Sequence, residues 1–347
     1  MMKEHTQKKM KALIAVLILT MVGIMSLSGC TTRQKNTIKI EGAYALTPMM
    51  EKWVLEYNKI HPDINIDINA NGAGTGMRDA LSGIADIGMY SKAVNKTSIE
   101  QGAFWVSVAK DAVVATINSD NPVIDIILAK GVTKQQFKDI FITGNITTWG
   151  ELVGNESITD PINLYTRSDD CGAAETWAQY LGNYKQLDLT NAVKNAVEKG
   201  RVGAAMNGDN LLATKIQADK WGIGYNNIGY VYTKKISDTV VVPADGIKPV
   251  PIDINENGTL DENERVYENR SSIVTAINDY VYPSPPARAL HVVTLHNFTG
   301  ITKEFVSWIL TDGQQYVLET GYVPLPEETI ALQIQYLMNG TRPEIQQ

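Results

Sequence analysis

The chain has only two cysteines, Cys30 and Cys171. That is too few for a disulfide framework once either has another use. It has four histidines, His5, His61, His291 and His296, and none stands at metal-ligand spacing. No Gly-x-Ser-x-Gly elbow, Walker loop or His-Glu-x-x-His pair occurs. Hydrolysis of a phosphate ester would need a nucleophile with an oriented base, or a metal cluster, and the sequence offers neither. Positive charge is also short: Lys plus Arg number 31 against 38 Asp plus Glu, for a net charge of −7. With no basic run, nucleic acid is not an expected partner, and an anion would gain nothing from long-range steering.

What is present begins with a targeting segment. Lys3, Lys8, Lys9 and Lys11 form a basic start, an apolar run covers about Ala12 to Met25, and Leu27-Ser28-Gly29-Cys30 reads as a lipobox. The alternative is an uncleaved anchor, but the apolar run is short for a full span. We expect residues 1–29 to be a lipoprotein signal peptide, Cys30 to carry lipid, and residues 30–37 to form a polar tether. The expected location is the extracytoplasmic face of a cell membrane, or the periplasm. Cleavage removes four lysines and one glutamate, which takes the net charge from −7 to −10. It also leaves Cys171 alone, so no intrachain disulfide is expected. The 318 remaining residues are more than one core usually takes, which points to two lobes.

Strand-like and helix-like runs alternate throughout, which predicts an α/β fold. Two consecutive units have a strand, a glycine-rich turn and a helix. In the first, Ile38 and Ile40 lead to Gly42. Thr47 is the expected N-cap, Pro48 the first helical residue, and Met50, Trp53, Val54 and Tyr57 follow at helical spacing. In the second, Ile64, Ile66 and Ile68 alternate like a strand. Gly72, Gly74 and Gly76 make the turn, and a helix is expected from about Met77. Each unit aims unpaired N–H groups and the positive end of a helix dipole at one sheet edge, a ready site for an anion. The plainer reading is that such glycines only make the turn.

A third unit is NLYTRSDDCGAAETWAQYLG. A strand ends near Thr166, Arg167 to Gly172 turns, and a helix covers Ala173 to Leu181, closed by Gly182. Asp169 or Asp170 could simply cap that helix. The functional reading has Arg167 as the cation of a third dipole on the same cleft, with Asp169 orienting it. Near the C-terminus, Phe305, Trp308, Ile309, Tyr316 and Val317 form helical stripes that read as core.

These segments together resemble the substrate-binding proteins of phosphate ABC transporters, with their type II periplasmic-binding-protein fold. The likeness runs from about Ile38 to Leu325. It is carried by GAYALTP (Gly42 to Pro48), NGAGTGMRDALSGIADIGMYSK (Asn71 to Lys92), RSDDCGA (Arg167 to Ala173) and WILTDGQQYVLETGYVPLP (Trp308 to Pro326), in that order. Tyr282-Pro283 with Arg288 resembles the strand that returns to the first lobe. The resemblance implies two α/β lobes closing on a dehydrated oxyanion, with residues 38–114 and 286–347 in lobe 1 and 115–285 in lobe 2. It places Ala45, Leu46, Thr47, Gly74, Thr75, Gly76, Ser91, Lys92, Arg167, Asp169, Cys171, Gly172 and Ala173 around the ligand. Cys171 and Ala173 stand where the family prefers hydroxyls, and Asp170 where a glycine is usual. Implied partners are an inorganic oxyanion, with phosphate favoured, and an ABC permease. A monomer is expected.

Residues 253–264, DINENGTLDENE, fit a twelve-residue EF-hand calcium loop. Asp253, Asn255, Asn257 and Asp261 stand at positions one, three, five and nine. Gly258 makes the turn, Thr259 would offer its carbonyl, and Glu264 would bind through both oxygens. Pro249 and Pro251 precede the loop, so no entering helix is expected. The plainer reading is a solvated Asn/Asp-rich turn. A lone loop of this kind would act as a structural Ca2+ staple rather than a sensor. Two functional readings follow: a tethered, non-enzymatic oxyanion receptor for an ABC importer, or a calcium-stabilised surface interaction module that keeps the fold without binding phosphate.

Overall fold

The computed structural model describes residues 36–237 and 239–343. The expected signal peptide, Cys30 and most of the expected tether lie outside them. Among the described residues no helix is long and apolar enough to cross a membrane.

Eight strands form the spine of a mixed sheet: β1 (Thr37–Gly42), β2 (Asn65–Ala70), β3 (Ile87–Tyr90), β4 (Ala103–Asn118), β5 (Asn163–Arg167), β6 (Gly203–Met206), β7 (Gly222–Asn227) and β8 (Ala287–Leu295). Their order is β2-β1-β3-β8-β4-β7-β5-β6, and the short strand Ile247–Pro249 also pairs with β4. β1 is parallel to β2 and β3, and β5 is parallel to β6 and β7. β8 and β4 run antiparallel between these groups, with Arg288 opposite Asp111. β2 shows the alternation expected of an edge strand, with Ile66 buried between exposed Asn65 and Asp67.

The fold is α/β with two lobes, each with its own core. One core takes its residues from Ile38 to Ala109 and from Leu290 to Leu337. The other takes them from Ala112 to Ala287, with Val323. β4 is sixteen residues long and feeds both, since Phe104, Val106 and Val108 fall in the first and Val113, Val114 and Ile117 in the second. A run this apolar suits a strand covered on both faces. Ala112 to Val114 therefore pack with the second lobe, and the changeover sits at Lys110 and Asp111. The aromatic stripe Phe305, Trp308 and Tyr57 packs edge-to-face in the first core.

Four helices follow the C-terminal ends of β1, β2, β5 and β6: α1 (Thr47–Ile60), α2 (Ala73–Leu81), α3 (Gly172–Gly182) and α4 (Asp209–Ala218). Four helix ends differ from expectation. A turn of 3-10 helix, Tyr44–Leu46, precedes α1, so Thr47 is already helical and its hydroxyl donates to Ala43 O at 3.2 Å. α2 opens at Ala73, because Gly72 adopts φ 101° and turns the chain early. α3 is capped by the Cys171 sulfur, which accepts from Ala174 N at 3.4 Å, not by either aspartate. Asn183, in the left-handed region, ends that helix in place of Gly182, which is its last residue.

Candidate ligand-binding cleft

The glycine turns work as close contacts. A Cβ on Gly76 would lie 2.7 Å from Gly42 Cα and 2.8 Å from Met89 O, so only glycine lets α2 lie on β1 and β3. This brings the openings of α1 and α2 to one edge with Ser91, just beyond β3. The second lobe meets that edge from across the cleft. A Cβ on Gly172 would fall 2.0 Å from Ser91 O, and Gly74 N donates to Asp170 O at 3.0 Å. Tyr230 Oη donates to Tyr44 O at 3.0 Å, and the Arg167 guanidinium lies 5.5 Å from the Tyr44 ring centre. The lobes are closed on each other at these points.

The structure brings the three sequence-selected loops to one cleft but gives some members other work. The Leu46 N–H donates to Ala43 O at 3.1 Å, so it is already committed. Ala45 is buried, and its carbonyl accepts from Tyr322 Oη at 2.7 Å. Gly172 and Ala173 occupy the first two positions of α3, where N–H groups have no carbonyl within their own helix. Thr75 holds the corresponding region of α2. Ser91 is buried against Gly172. Cys171 is fully enclosed, and burial pushes its thiol up to about 11, so it stays a weak donor.

Arg167 is fully buried. Its Nε and Nη2 donate to the two Asp169 oxygens at 2.8 and 2.6 Å, and Nη1 donates to Asp209 Oδ2 at 2.5 Å. Burial alone would lower its pKa, and the Asp209 and Asp169 carboxylates outweigh that to hold the charge firmly on. Three of its five N–H groups are thus used. Asp209, at the start of α4, also accepts from the backbone and side chain of Asn227 at 2.9 and 2.8 Å. Asn227 in turn accepts from Arg288, whose Nε donates to Asp111 at 2.9 Å and whose Nη1 donates to Thr176 at 3.1 Å. Burial raises the Asp111 pKa, and Arg288 draws it back.

A continuous chain of charges therefore runs from the crossing strands to the third loop. Three cations, Lys92, Arg167 and Arg288, meet four carboxylates, Asp111, Asp169, Asp170 and Asp209. With no surplus of positive charge, the arrangement would hold an anion through backbone N–H groups and helix ends rather than net charge. Tyr44, Asp209, Asn227 and Arg288 were not selected as site residues from the sequence. Asp209 could have been: Asn207-Gly208 joins β6 to Asp209, the first residue of α4, with Gly208 at φ 90°, and repeats the strand–glycine–helix pattern.

The calcium-like loop follows the short strand Ile252–Asp253, which pairs with Val132–Thr133. Asp253 accepts from Asn257 N and Gly258 N, and Glu264 from Ile254 N, Asn255 N and Asp261 N. Leu260 anchors the loop in the lobe. Among the described residues no group of three or more His, Cys, Asp or Glu is gathered closely enough to hold a metal ion.

Two lobes that share crossing strands and close on a cleft of helix N-termini define a periplasmic-binding-protein type of molecule. A profile of the PBP superfamily domain matches residues 30–313, and the chain belongs to that superfamily. It is 27% identical over 307 residues to the phosphate-binding protein PstS of Pseudomonas aeruginosa, covering 82% of each chain. It is 26% identical over 302 residues to PstS of Bacillus subtilis, covering 85% of this chain and 83% of that one. A shorter match, 34% over 115 residues, joins it to PstS 2 of Streptococcus agalactiae, where it spans 37% of that protein's length. The crystal structure of a putative phosphate ABC transporter substrate-binding protein from Clostridium perfringens superposes with a TM-score of 0.64 at 23% identity. That superposition covers 84% of this chain and all of the other.

Proposed function

We propose that this chain is a lipid-tethered extracytoplasmic receptor that captures an inorganic oxyanion, phosphate before others, and passes it to an ABC permease. It would bind rather than catalyse. The observation that carries the reading is the meeting of the α2 and α3 N-termini at one closed cleft, with buried Ser91 against Gly172 and buried Arg167 beside them. The phosphate-binding names of relatives matched over most of their length support it. Lipid on Cys30 would keep the receptor beside its permease, and Cys30→Ala should release the chain or stop its processing.

The test is calorimetry on protein freed of carried-over ligand, with phosphate, sulfate, molybdate and tungstate across pH. Heat with phosphate is expected. No heat from any of the four, with the protein folded, would overturn the reading in favour of a surface interaction module.

Calcium in the 253–264 loop is part of the same proposal. Asp253 and Glu264 are 1% and 2% exposed. No lysine or arginine among the described residues forms an ion pair with them or with Asp261, so the N–H groups of the loop alone face two buried carboxylates. Buried carboxylates call for a cation, and each retains lone pairs beyond those N–H bonds. Calcium would have to draw Asp253, Asn255, Asn257, Asp261, Glu264 and the Thr259 carbonyl closer together than they stand here for them to supply its oxygens.

A further inference from the structure

Asp170 sits in the turn between β5 and α3, in the second lobe. All its notable contacts are with the first lobe. Its carboxylate pairs with the Lys92 ammonium. Its main-chain oxygen accepts the Gly74 N–H at 3.0 Å. Gly74 is the second residue of α2, so this is one of the helix's unpaired N–H groups. The carboxylate lies so near that a Cβ on Gly74 would fall 1.7 Å from Asp170 Oδ2. A negative charge therefore rests at the positive end of the nine-residue helix α2 and on the first lobe's nearby lysine.

Those are the groups an oxyanion would use in the first lobe. The Lys92 side chain is 15% exposed and that of Asp170 is 65% exposed, so the ammonium is held inside by a carboxylate reaching in from the rim. We infer that Asp170 is an internal occupant of the first lobe's anion-binding groups. An incoming oxyanion competes with this carboxylate for Lys92, and Asp170 thereby sets how tightly the cleft binds. This rests on the oxyanion reading above, and it adds a residue which that reading does not use.

The test is a double-mutant cycle on the purified chain with Asp170→Asn, Lys92→Met and both together. Asp170→Asn keeps the main-chain carbonyl and the side-chain volume but removes the charge. With inorganic phosphate as probe, Asp170→Asn is expected to tighten binding by up to about fivefold, the range of a solvent-screened pair. Lys92→Met should weaken phosphate binding in the parent, because it removes a cation of the cleft and leaves the Asp170 carboxylate unpaired beside α2, and it should erase the gain in the Asp170→Asn background. Unchanged or weaker phosphate binding in Asp170→Asn overturns the inference. The same cycle is run by thermal melting without phosphate. Non-additive melting shifts support the internal pair, and additive shifts overturn it. Coupled melting with no phosphate response in any variant would leave the pair standing and bring down the phosphate reading instead.

Discussion

Removing the Arg167 guanidinium tests the centre of the cleft most directly. Arg167→Met leaves Asp169 and Asp209 buried, 8% and 0% exposed, without the cation they share. Breaking one buried pair typically costs about 3–5 kcal/mol, because the partner charge is left uncompensated. Two carboxylates share one cation here, so the losses overlap rather than add. We therefore take about 3–5 kcal/mol for the whole substitution, roughly a fifth or more of the 5–15 kcal/mol that holds a domain together. Urea denaturation should show the midpoint falling with little change in slope. The triple variant Arg167→Met, Asp169→Asn, Asp209→Asn removes all three charges and should regain most of that stability. It should not regain phosphate binding, measured by calorimetry, because the two remaining guanidinium N–H groups are gone. A single Arg167→Met variant as stable as the parent, or a neutral triple variant that binds phosphate normally, would refute the reasoning.

Three further outcomes are expected. Gly172→Ala places a methyl 2.0 Å from the Ser91 carbonyl, so it should hold the lobes apart and weaken phosphate binding in calorimetry while melting shifts little. A chelator should lower the melting temperature, by the equivalent of about 2.7 kcal/mol if calcium had been present at a hundred times its dissociation constant, and Glu264→Gln should abolish the response. His291, bonded to Ser107 Oγ at 3.0 Å, has its pKa lowered by burial and by Arg288 to about 4 from an ordinary 6.5. The unfolded chain thus takes up a proton first as pH falls. Stability should be full above pH 6.5 and decline from there to pH 4, by up to about 1.4 kcal/mol per pH unit, and His291→Gln should flatten that slope in urea titrations.

The glycine turns were legible because their signal is local. Gly42, Gly72, Gly74, Gly76 and Gly172 each lie between a strand-like and a helix-like run, and each turn reaches the same edge. The caps were less legible. Thr47 and the Asp169-Asp170 pair have the right chemistry for capping, but a preceding 3-10 turn and the Cys171 sulfur took those positions. The charge chain was not legible beyond Arg167 and Asp169. Asp111, Asp209 and Arg288 are separated by tens of residues, and only the pairing of β8 with β4 and the placing of β7 beside β4 bring them together. The role of Arg167 changed for that reason. The sequence offers it as the cation of an anion site with Asp169 to orient it, while in the fold it is also the counterion of Asp209.

β4 has a consequence for how the molecule comes apart. Its sixteen residues are one run of hydrogen-bonded backbone that lies in both cores, as the shorter β8 does beside it with Ala287 in the second core and Leu290 in the first. Losing either core would strip partners from half of that strand and expose the other half's flank. The two lobes are thus separate as packing units but joined as a folding unit. A cleft that opened by bending near Lys110 and Asp111 would leave the strand's amides on either side bonded. Deuterium uptake in the middle of β4 should then follow unfolding of the whole molecule, whatever the cleft is doing.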